Sequence, residues 1–92
     1  MRRLHYSANW AHSLKKKYKI TPNIYYELLK AQNYGCAICQ VHEIKLKHQL
    51  AVDHNHLTDK IRGLLCSNCN TGLGLFEDKA ELLQKAIAYL NK

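Results

Sequence analysis

The first third of the chain has two stretches with the apolar spacing of a helix. The first is a row of large apolar residues at four-residue intervals: Tyr6, Trp10, Leu14 and Tyr18. We expect this row to pack on the body of the protein, because aromatic residues at helical spacing usually belong to a buried face. Thr21-Pro22 has the form of a helix start. The second helix should end near Gly35, since glycine readily accepts a left-handed cap.

The rest of the chain predicts two short strands and two further helices. Residues 50–52 form a strand that leads into positions 53 and 54, residues 55–60 form a loop, and residues 61–65 form a second strand. Gly72 and Gly74 should weaken or end the helix that follows. The last helix has its apolar residues on one face: Leu83, Ala86, Ile87 and Leu90. We therefore expect a single α+β domain with a basic helical segment at 1–34, a compact core at 35–76 and a C-terminal amphipathic helix at 77–92.

Composition narrows the class of protein. Hydrophobic residues make up 47% and charged residues 23% of the 92 positions, which is typical of a folded domain and not of a disordered chain. No apolar run approaches the roughly 18 residues that a membrane helix needs. The N-terminal residues lack the apolar centre of a signal peptide. These features predict a cytoplasmic protein without a membrane partner, whose limited core is stabilised by a metal or by disulfides.

The positive charge is concentrated towards the N-terminus. The net charge is +7, and residues 1–34 have seven basic side chains against one acidic, which is +6. Residues 35–92 have seven basic side chains against six acidic, which is +1. A basic arm on a near-neutral body favours a polyanionic partner such as nucleic acid, and a solvated basic face without a partner is the alternative.

Four cysteines form two C-x2-C pairs with 26 residues between them: Cys36 and Cys39, then Cys66 and Cys69. A CxxC turn directs both sulfurs to one centre, and two such turns give the tetrahedral site that zinc prefers. Because thiolates would fill all four positions and leave none for water or substrate, the predicted zinc is structural. Two disulfides, a four-thiolate iron site and redox-active thiols are the alternatives.

The interval between the cysteine pairs contains the tetrapeptide DHNH at positions 53–56, whose side chains suit phosphodiester hydrolysis. That reaction requires an activated water and positive charge at the phosphate. A neutral imidazole such as His54 suits the first task, and a magnesium ion on oxygen ligands suits the second. Asp53 offers a carboxylate to the ion, while His54, its neighbour on a strand, faces the other way. Asn70 directly follows Cys69, so the second cysteine pair fixes the start of the helix that carries it. The amide oxygen of Asn70 could then complete the metal site.

Three segments together resemble the recombination endonuclease VII family of phage-type nucleases, within the HNH or ββα-metal superfamily. The segments are YKITPNIYYELLKAQNYGCAIC, LAVDHNH and IRGLLCSNCNTGLG, and they lie within residues 18–75. The combination is much more specific than DHNH alone. The resemblance implies a small ββα-metal core with a four-cysteine structural zinc site, flanked by helices. It also implies an enzyme that cuts DNA and leaves 5′-phosphate and 3′-hydroxyl ends.

The resemblance further implies roles for individual residues. Asp53 and Asn70 match the ligands of a catalytic magnesium or manganese ion. His54 matches the general base, and His56 matches a second active-site histidine that binds or polarises the phosphate. The four cysteines match the ligands of the structural zinc. In one departure, some junction-resolving members have an acidic residue three positions after the asparagine, where this chain has Leu73.

Four basic residues are predicted to contact the DNA backbone without reading bases: Lys15, Lys16, Lys17 and Arg62. The predicted function is a metal-dependent DNA endonuclease in a bacterial cytoplasm or phage-infected cell, with branched DNA and plain duplex both open as substrates. A non-catalytic zinc module that binds nucleic acid is the alternative, and it leaves Asp53, His54 and Asn70 unexplained. A homodimer, or docking of the last helix in a larger assembly, is also left open.

Overall fold

The computed structural model describes residues 8–92, and within that range it has four α-helices and a two-stranded sheet. The helices are α1 (Ala8–Tyr18), α2 (Pro22–Ala31), α3 (Ser67–Leu75) and α4 (Ala80–Leu90), and the strands are β1 (Ala51–His54) and β2 (Ile61–Leu65). A short 3-10 turn at Glu43–Lys45 lies between α2 and β1. This arrangement confirms the mixed α+β class. The expected helical position of Tyr6 lies outside the described residues.

The start of α2 follows the sequence signal. Pro22 lies in the first turn, and the backbone N–H of Ile24 donates a hydrogen bond to the Thr21 hydroxyl oxygen at 3.3 Å. Thr21 therefore satisfies one of the N–H groups that a helix leaves unpaired at its beginning.

The end of α2 differs from the expectation. No glycine in the described chain has a positive φ, so the prediction that Gly35 forms a left-handed cap is wrong. Asn33 and Tyr34 adopt that conformation instead, with φ of 54° and 61°. Gly35 is required for space: a Cβ at this position would lie 2.9 Å from the carbonyl oxygen of Gln40, in the turn of the first cysteine pair.

The two strands form an antiparallel ribbon with an irregularity between Asp53 and His54. Asp53 pairs with Gly63 and His54 pairs with Ile61, so Arg62 is an extra residue in β2. In regular pairing, Arg62 would lie opposite His54 and on the face away from Asp53. The bulge explains how the Arg62 side chain instead reaches the Asp53 carboxylate.

The loop between the strands is held by Asn55. Its side-chain oxygen accepts hydrogen bonds from the backbone N–H groups of Leu57 at 2.8 Å and Thr58 at 3.2 Å. Asp59 adopts a left-handed φ of 63°, and its N–H donates to the Asn55 carbonyl at 2.7 Å, so the loop closes as a tight turn.

The core lies between the first two helices and the ribbon. Its most buried large side chains are Tyr25, Leu29, Leu64 and Cys36. The Tyr25 hydroxyl donates a hydrogen bond to the Leu50 carbonyl at 2.6 Å, which satisfies a polar group in an apolar interior. Trp10 packs edge-on against Tyr25 with ring centroids 5.1 Å apart, and Leu14 is buried. These contacts confirm that the apolar face of α1 packs on the body of the protein.

Gln32, directly after α2, ties this helix to the first cysteine pair and to β2. Its amide nitrogen donates to the carbonyl oxygens of Gly35 at 2.8 Å and Leu64 at 3.0 Å. Its amide oxygen accepts from the Leu64 N–H at 2.9 Å. A Cβ at Gly63 would lie 2.9 Å from that amide oxygen, so a larger residue there would displace the Gln32 amide.

The last two helices differ in how far they match the prediction. α3 continues through Gly72 and Gly74 to Leu75, so neither glycine ends it. α4 forms as expected but has no buried residue, and Ile87 and Leu90 on its apolar face are exposed. Within residues 8–92, no helix has the length and apolar character needed to cross a membrane.

Candidate functional site

The four cysteines converge on one point. Their sulfur atoms all lie within 4.8 Å of one another, which is the arrangement that ligands of a single metal ion require. All four are free thiols, and the sulfurs of Cys39 and Cys66 are 3.7 Å apart. The two CxxC turns therefore share one centre, as their spacing predicts, and four sulfur donors fit a structural zinc ion.

The cluster does not favour four negative charges by itself. Burial disfavours the Cys36 thiolate, but backbone N–H groups, first that of Cys66 and then that of Cys39, lower its pKa to about 6. Burial and the neighbouring sulfurs raise the pKa of Cys69 to about 12. A cluster that stabilises one thiolate and opposes another needs a cation to keep all four deprotonated.

The second cysteine pair begins the helix that carries Asn70. Cys66 is the N-cap of α3, and its sulfur accepts a hydrogen bond from the Cys69 N–H at 3.4 Å. The Asn70 N–H donates to the Cys66 carbonyl at 2.9 Å, so Asn70 lies in the first turn of the helix. The same backbone turn therefore holds the sulfur centre and positions Asn70.

A cleft of about 800 Å³ opens beside the ribbon and α3. The residues around it include Asp53, His56, Arg62, Asn70, Leu73 and Asp78. The structure thus brings Asp53 on β1 and Asn70 on α3 to one cavity. A carboxylate and a side-chain amide are oxygen donors that magnesium and manganese accept, so this pair fits a divalent ion.

His54 does not line this cleft. Its ring lies near two other rings, with centroids 5.7 Å from Tyr18 and 4.7 Å from His56. His56 does line the cleft, so the two histidines connect the cavity with the surface beside α1. No sequence signal pointed to the Tyr18 contact, because Tyr18 belongs to the apolar row of α1 and lies far from His54 along the chain.

Arg62 forms an ion pair with Asp53 inside the cleft. Its Nε donates to one Asp53 carboxylate oxygen at 2.7 Å and its Nη2 donates to the other at 3.1 Å. Nη2 also lies 3.0 Å from both carboxylate oxygens of Asp78. Hydrogen bonds to Asp53 and then to Asp78 raise the pKa of Arg62, so its guanidinium is always charged.

Asp78 is a residue of the cleft that sequence reasoning missed. It follows α3 in a left-handed turn, with φ of 59°, and its N–H donates to the Leu73 carbonyl at 2.8 Å. Glu77 and Lys79 line the same cleft and form an ion pair at 3.1 Å. The acidic pair Glu77-Asp78 just after a helix was the available signal, but its contact with Arg62 depends on the fold.

The three lysines at the end of α1 directly precede Tyr18 along the chain. Lys15 and Lys16 are exposed. Lys17 lines a second groove together with Tyr18, whose ring contacts His54. Lys17 therefore lies in a different groove from Arg62, and Tyr18 connects this groove with His54.

Comparison with known proteins gives consistent matches over most of the chain. A family model described as recombination endonuclease VII matches residues 11–92. The chain is 42% identical over 87 residues to the Gene 59 protein of Mycobacterium phage D29, covering 94% of this chain and 52% of that protein. It is 40% identical over 85 residues to the Gene 59 protein of Mycobacterium phage L5, covering 91% of this chain and 51% of that protein. The chain spans about half the length of these curated relatives. No solved structure gives a significant match.

Proposed function

The chain belongs to the recombination endonuclease VII family, and we propose that it is a metal-dependent endonuclease that hydrolyses DNA phosphodiester bonds at an HNH-type ββα site. The observation that carries the proposal is the shared cleft, in which the oxygen donors of Asp53 and Asn70 occur together with His56. His54 lies against His56, with ring centroids 4.7 Å apart. The order β1, β2, α3 supplies the ββα element, and the four-cysteine centre holds its helix.

In the proposed reaction, Asp53 and Asn70 would hold a magnesium or manganese ion, which would supply positive charge to stabilise the phosphate and the leaving oxygen. His54 accepts a proton from water as the water oxygen bonds to phosphorus and the bond from phosphorus to the 3′-oxygen breaks. The 3′-oxygen takes up a proton from solvent, which leaves 5′-phosphate and 3′-hydroxyl ends. His56 hydrogen-bonds a phosphate oxygen and so orients the phosphodiester in the cleft.

We propose that the DNA backbone lies across the cleft and the basic end of α1. The lysines of that end are Lys15, Lys16 and Lys17. These lysines and Arg62 contact phosphates. Such contacts position the duplex without reading its sequence. In this proposal residues 1–34 hold DNA, residues 35–76 form the nuclease core, and residues 77–92 complete the single domain.

The setting and the oligomeric state are part of the same proposal. Both relatives come from bacteriophages, so we propose that the protein acts in an infected bacterial cell. The exposed Ile87 and Leu90 of α4 offer an apolar contact for a second copy of the chain. Light scattering of the purified chain tests this, and a monomer at all accessible concentrations would argue against a homodimer.

The test of the activity is cleavage of supercoiled plasmid and of a synthetic four-way junction, with and without magnesium or manganese. We expect metal-dependent cutting that falls by about 100-fold or more in His54→Ala, the usual cost of losing a general base. His12→Ala is the matched control, because His12 is exposed on α1 and has no part in the proposed reaction. The faster substrate shows whether branched DNA is preferred.

DNA binding by a folded, zinc-loaded protein that cuts neither substrate with either ion would contradict the proposal. That result would favour the alternative, a zinc-containing module that binds nucleic acid without cleaving it. Cutting that persists in His54→Ala at the wild-type rate would leave a nuclease but remove His54 as its base.

A further inference from the structure

The Arg62 guanidinium in the cleft is shared between two carboxylates. Arg62 contacts both oxygens of Asp53, through Nε at 2.7 Å and Nη2 at 3.1 Å. The same Nη2 lies 3.0 Å from both oxygens of Asp78. Nη2 has two hydrogens but faces three carboxylate oxygens, so its contacts compete with one another. Arg62 can therefore shift its hydrogen bonds from one carboxylate to the other at small cost.

The contact with Asp53 conflicts with the metal site proposed above. Both carboxylate oxygens of Asp53 already accept hydrogen bonds from a permanent cation, and the side chain is only 11% exposed. Two cations next to one carboxylate repel each other strongly in a partly buried site. Each Asp53 oxygen keeps a second lone pair for an ion, but the repulsion falls, and the ion binds more tightly, if Arg62 withdraws from at least one of these oxygens.

Asp78 is placed to receive Arg62 when it withdraws. The Asp78 N–H is fixed to the Leu73 carbonyl at 2.8 Å, so Asp78 is anchored to the end of α3, the helix that also carries Asn70. Its carboxylate already contacts Arg62, so the transfer needs no new partner and no movement of the ribbon.

We propose that Arg62 competes with the catalytic metal ion for Asp53, and that Asp78 is a positioning residue which promotes metal binding by drawing Arg62 away. This inference rests on the proposed function, because it takes Asp53 as a metal ligand. Asp78 acts through Arg62 and is not itself a ligand. It follows that the two side chains have opposite effects on metal affinity.

The experiment measures manganese binding to the zinc-loaded protein without DNA, by counting free Mn²⁺ with electron paramagnetic resonance. Arg62→Gln should tighten the Kd about tenfold, the scale of one charge-assisted hydrogen bond. Asp78→Asn should weaken Mn²⁺ binding by about threefold or more. In that variant Arg62 has lost the second of its two carboxylate partners and stays on Asp53. The double variant should bind like Arg62→Gln alone, since Asp78 has no effect without Arg62.

Two variants control for simple loss of charge in the same cleft. Lys79→Gln removes a positive charge and Glu77→Gln removes a negative charge, and these two side chains pair with each other instead of with Arg62. Both should change the Kd by less than about twofold, as expected for exposed charges screened by solvent. Circular dichroism checks that every variant is folded.

The outcomes separate this inference from the proposed function. Mn²⁺ binding that Asp53→Asn leaves unchanged would overturn the proposed metal site and the inference with it. Binding that depends on Asp53 but is not tightened by Arg62→Gln would overturn the inference alone. A double variant that binds more weakly than Arg62→Gln would make Asp78 a direct ligand and would also overturn the positioning role.

Discussion

Replacing Gln32 by alanine should destabilise the protein strongly, although glutamine is a polar residue outside the apolar core. The Gln32 amide makes three hydrogen bonds to backbone groups, one to Gly35 and two to Leu64. Leu64 is fully buried, so water reaches its backbone poorly after the amide is removed. Gln32→Ala therefore removes the connection between α2, the first cysteine pair and β2. It leaves the Leu64 N–H without its partner, while the Leu64 carbonyl keeps the Ala37 N–H at 3.0 Å.

The magnitude follows from those three hydrogen bonds. A hydrogen bond of this kind contributes a net free energy of about 0.5–1.5 kcal/mol, and an unpaired buried group costs about 1–3 kcal/mol. Three such bonds, with some replacement by water at Gly35, give an expected decrease of about 3 kcal/mol in the free energy of unfolding. A decrease of that size is a large fraction of the total stability of a small domain.

The assay is urea unfolding followed by circular dichroism, at one buffered concentration of free zinc, because bound metal contributes to stability. Gln84→Ala is the matched control: Gln84 is exposed on α4, and its replacement should change stability by less than about 0.5 kcal/mol. A Gln32→Ala variant within about 1 kcal/mol of the wild type would refute the stabilising role of these hydrogen bonds.

Other parts of the fold and the sites give three further predictions. Tyr25→Phe should lower the free energy of unfolding by about 1–2 kcal/mol, since the Leu50 carbonyl loses its donor in a buried position, and an unchanged urea midpoint would contradict this. Removal of zinc by a chelator should unfold residues 35–70, seen as a decrease in circular dichroism that zinc reverses, whereas a native spectrum in zinc-free protein would show that the cluster is not needed for folding. Replacing the three lysines of α1 by glutamine should reduce the salt dependence of DNA binding, with the slope of log K against log salt falling by about 1 for each phosphate that is no longer neutralised; an unchanged slope would place the DNA elsewhere.

Local signals in the sequence predicted helices and strands well where a residue type has a single structural role. Thr21 and Pro22 marked the start of α2, and residues 61–65 were expected to form a strand, which β2 does with the same bounds. Glycine was less reliable, because it is selected for more than one reason. Gly35 was expected to supply a left-handed φ, but it supplies space for the turn of the first cysteine pair, and two non-glycine residues before it take the left-handed conformation.

The chemistry of the candidate site could be predicted from the identities of its residues. The spatial arrangement of those residues could be predicted only in part. The identities of Asp53, His54, His56 and Asn70 pointed to hydrolysis, and their roles stay predictions. That Asp53 and Asn70 share a cleft follows from the packing of α3 against both strands of the ribbon. The neighbours of these residues could not be read from the sequence, because Tyr18 meets His54, and Asp78 meets Arg62, across different elements of the fold.

The sequence by itself determined which donors are available: two cysteine pairs for one metal centre, with carboxylate and imidazole groups between them. It also determined where helices begin, through caps, and where short apolar segments form strands. These features are local, because a helix or strand period relates residues only a few positions apart. Only the tertiary structure decided which cation lies next to Asp53. A single extra residue in β2 turns Arg62 to the face of Asp53, and the turn after α3 brings Asp78 to the same guanidinium. Such contacts depend on strand register and on packing between distant segments, which no spacing along the chain records.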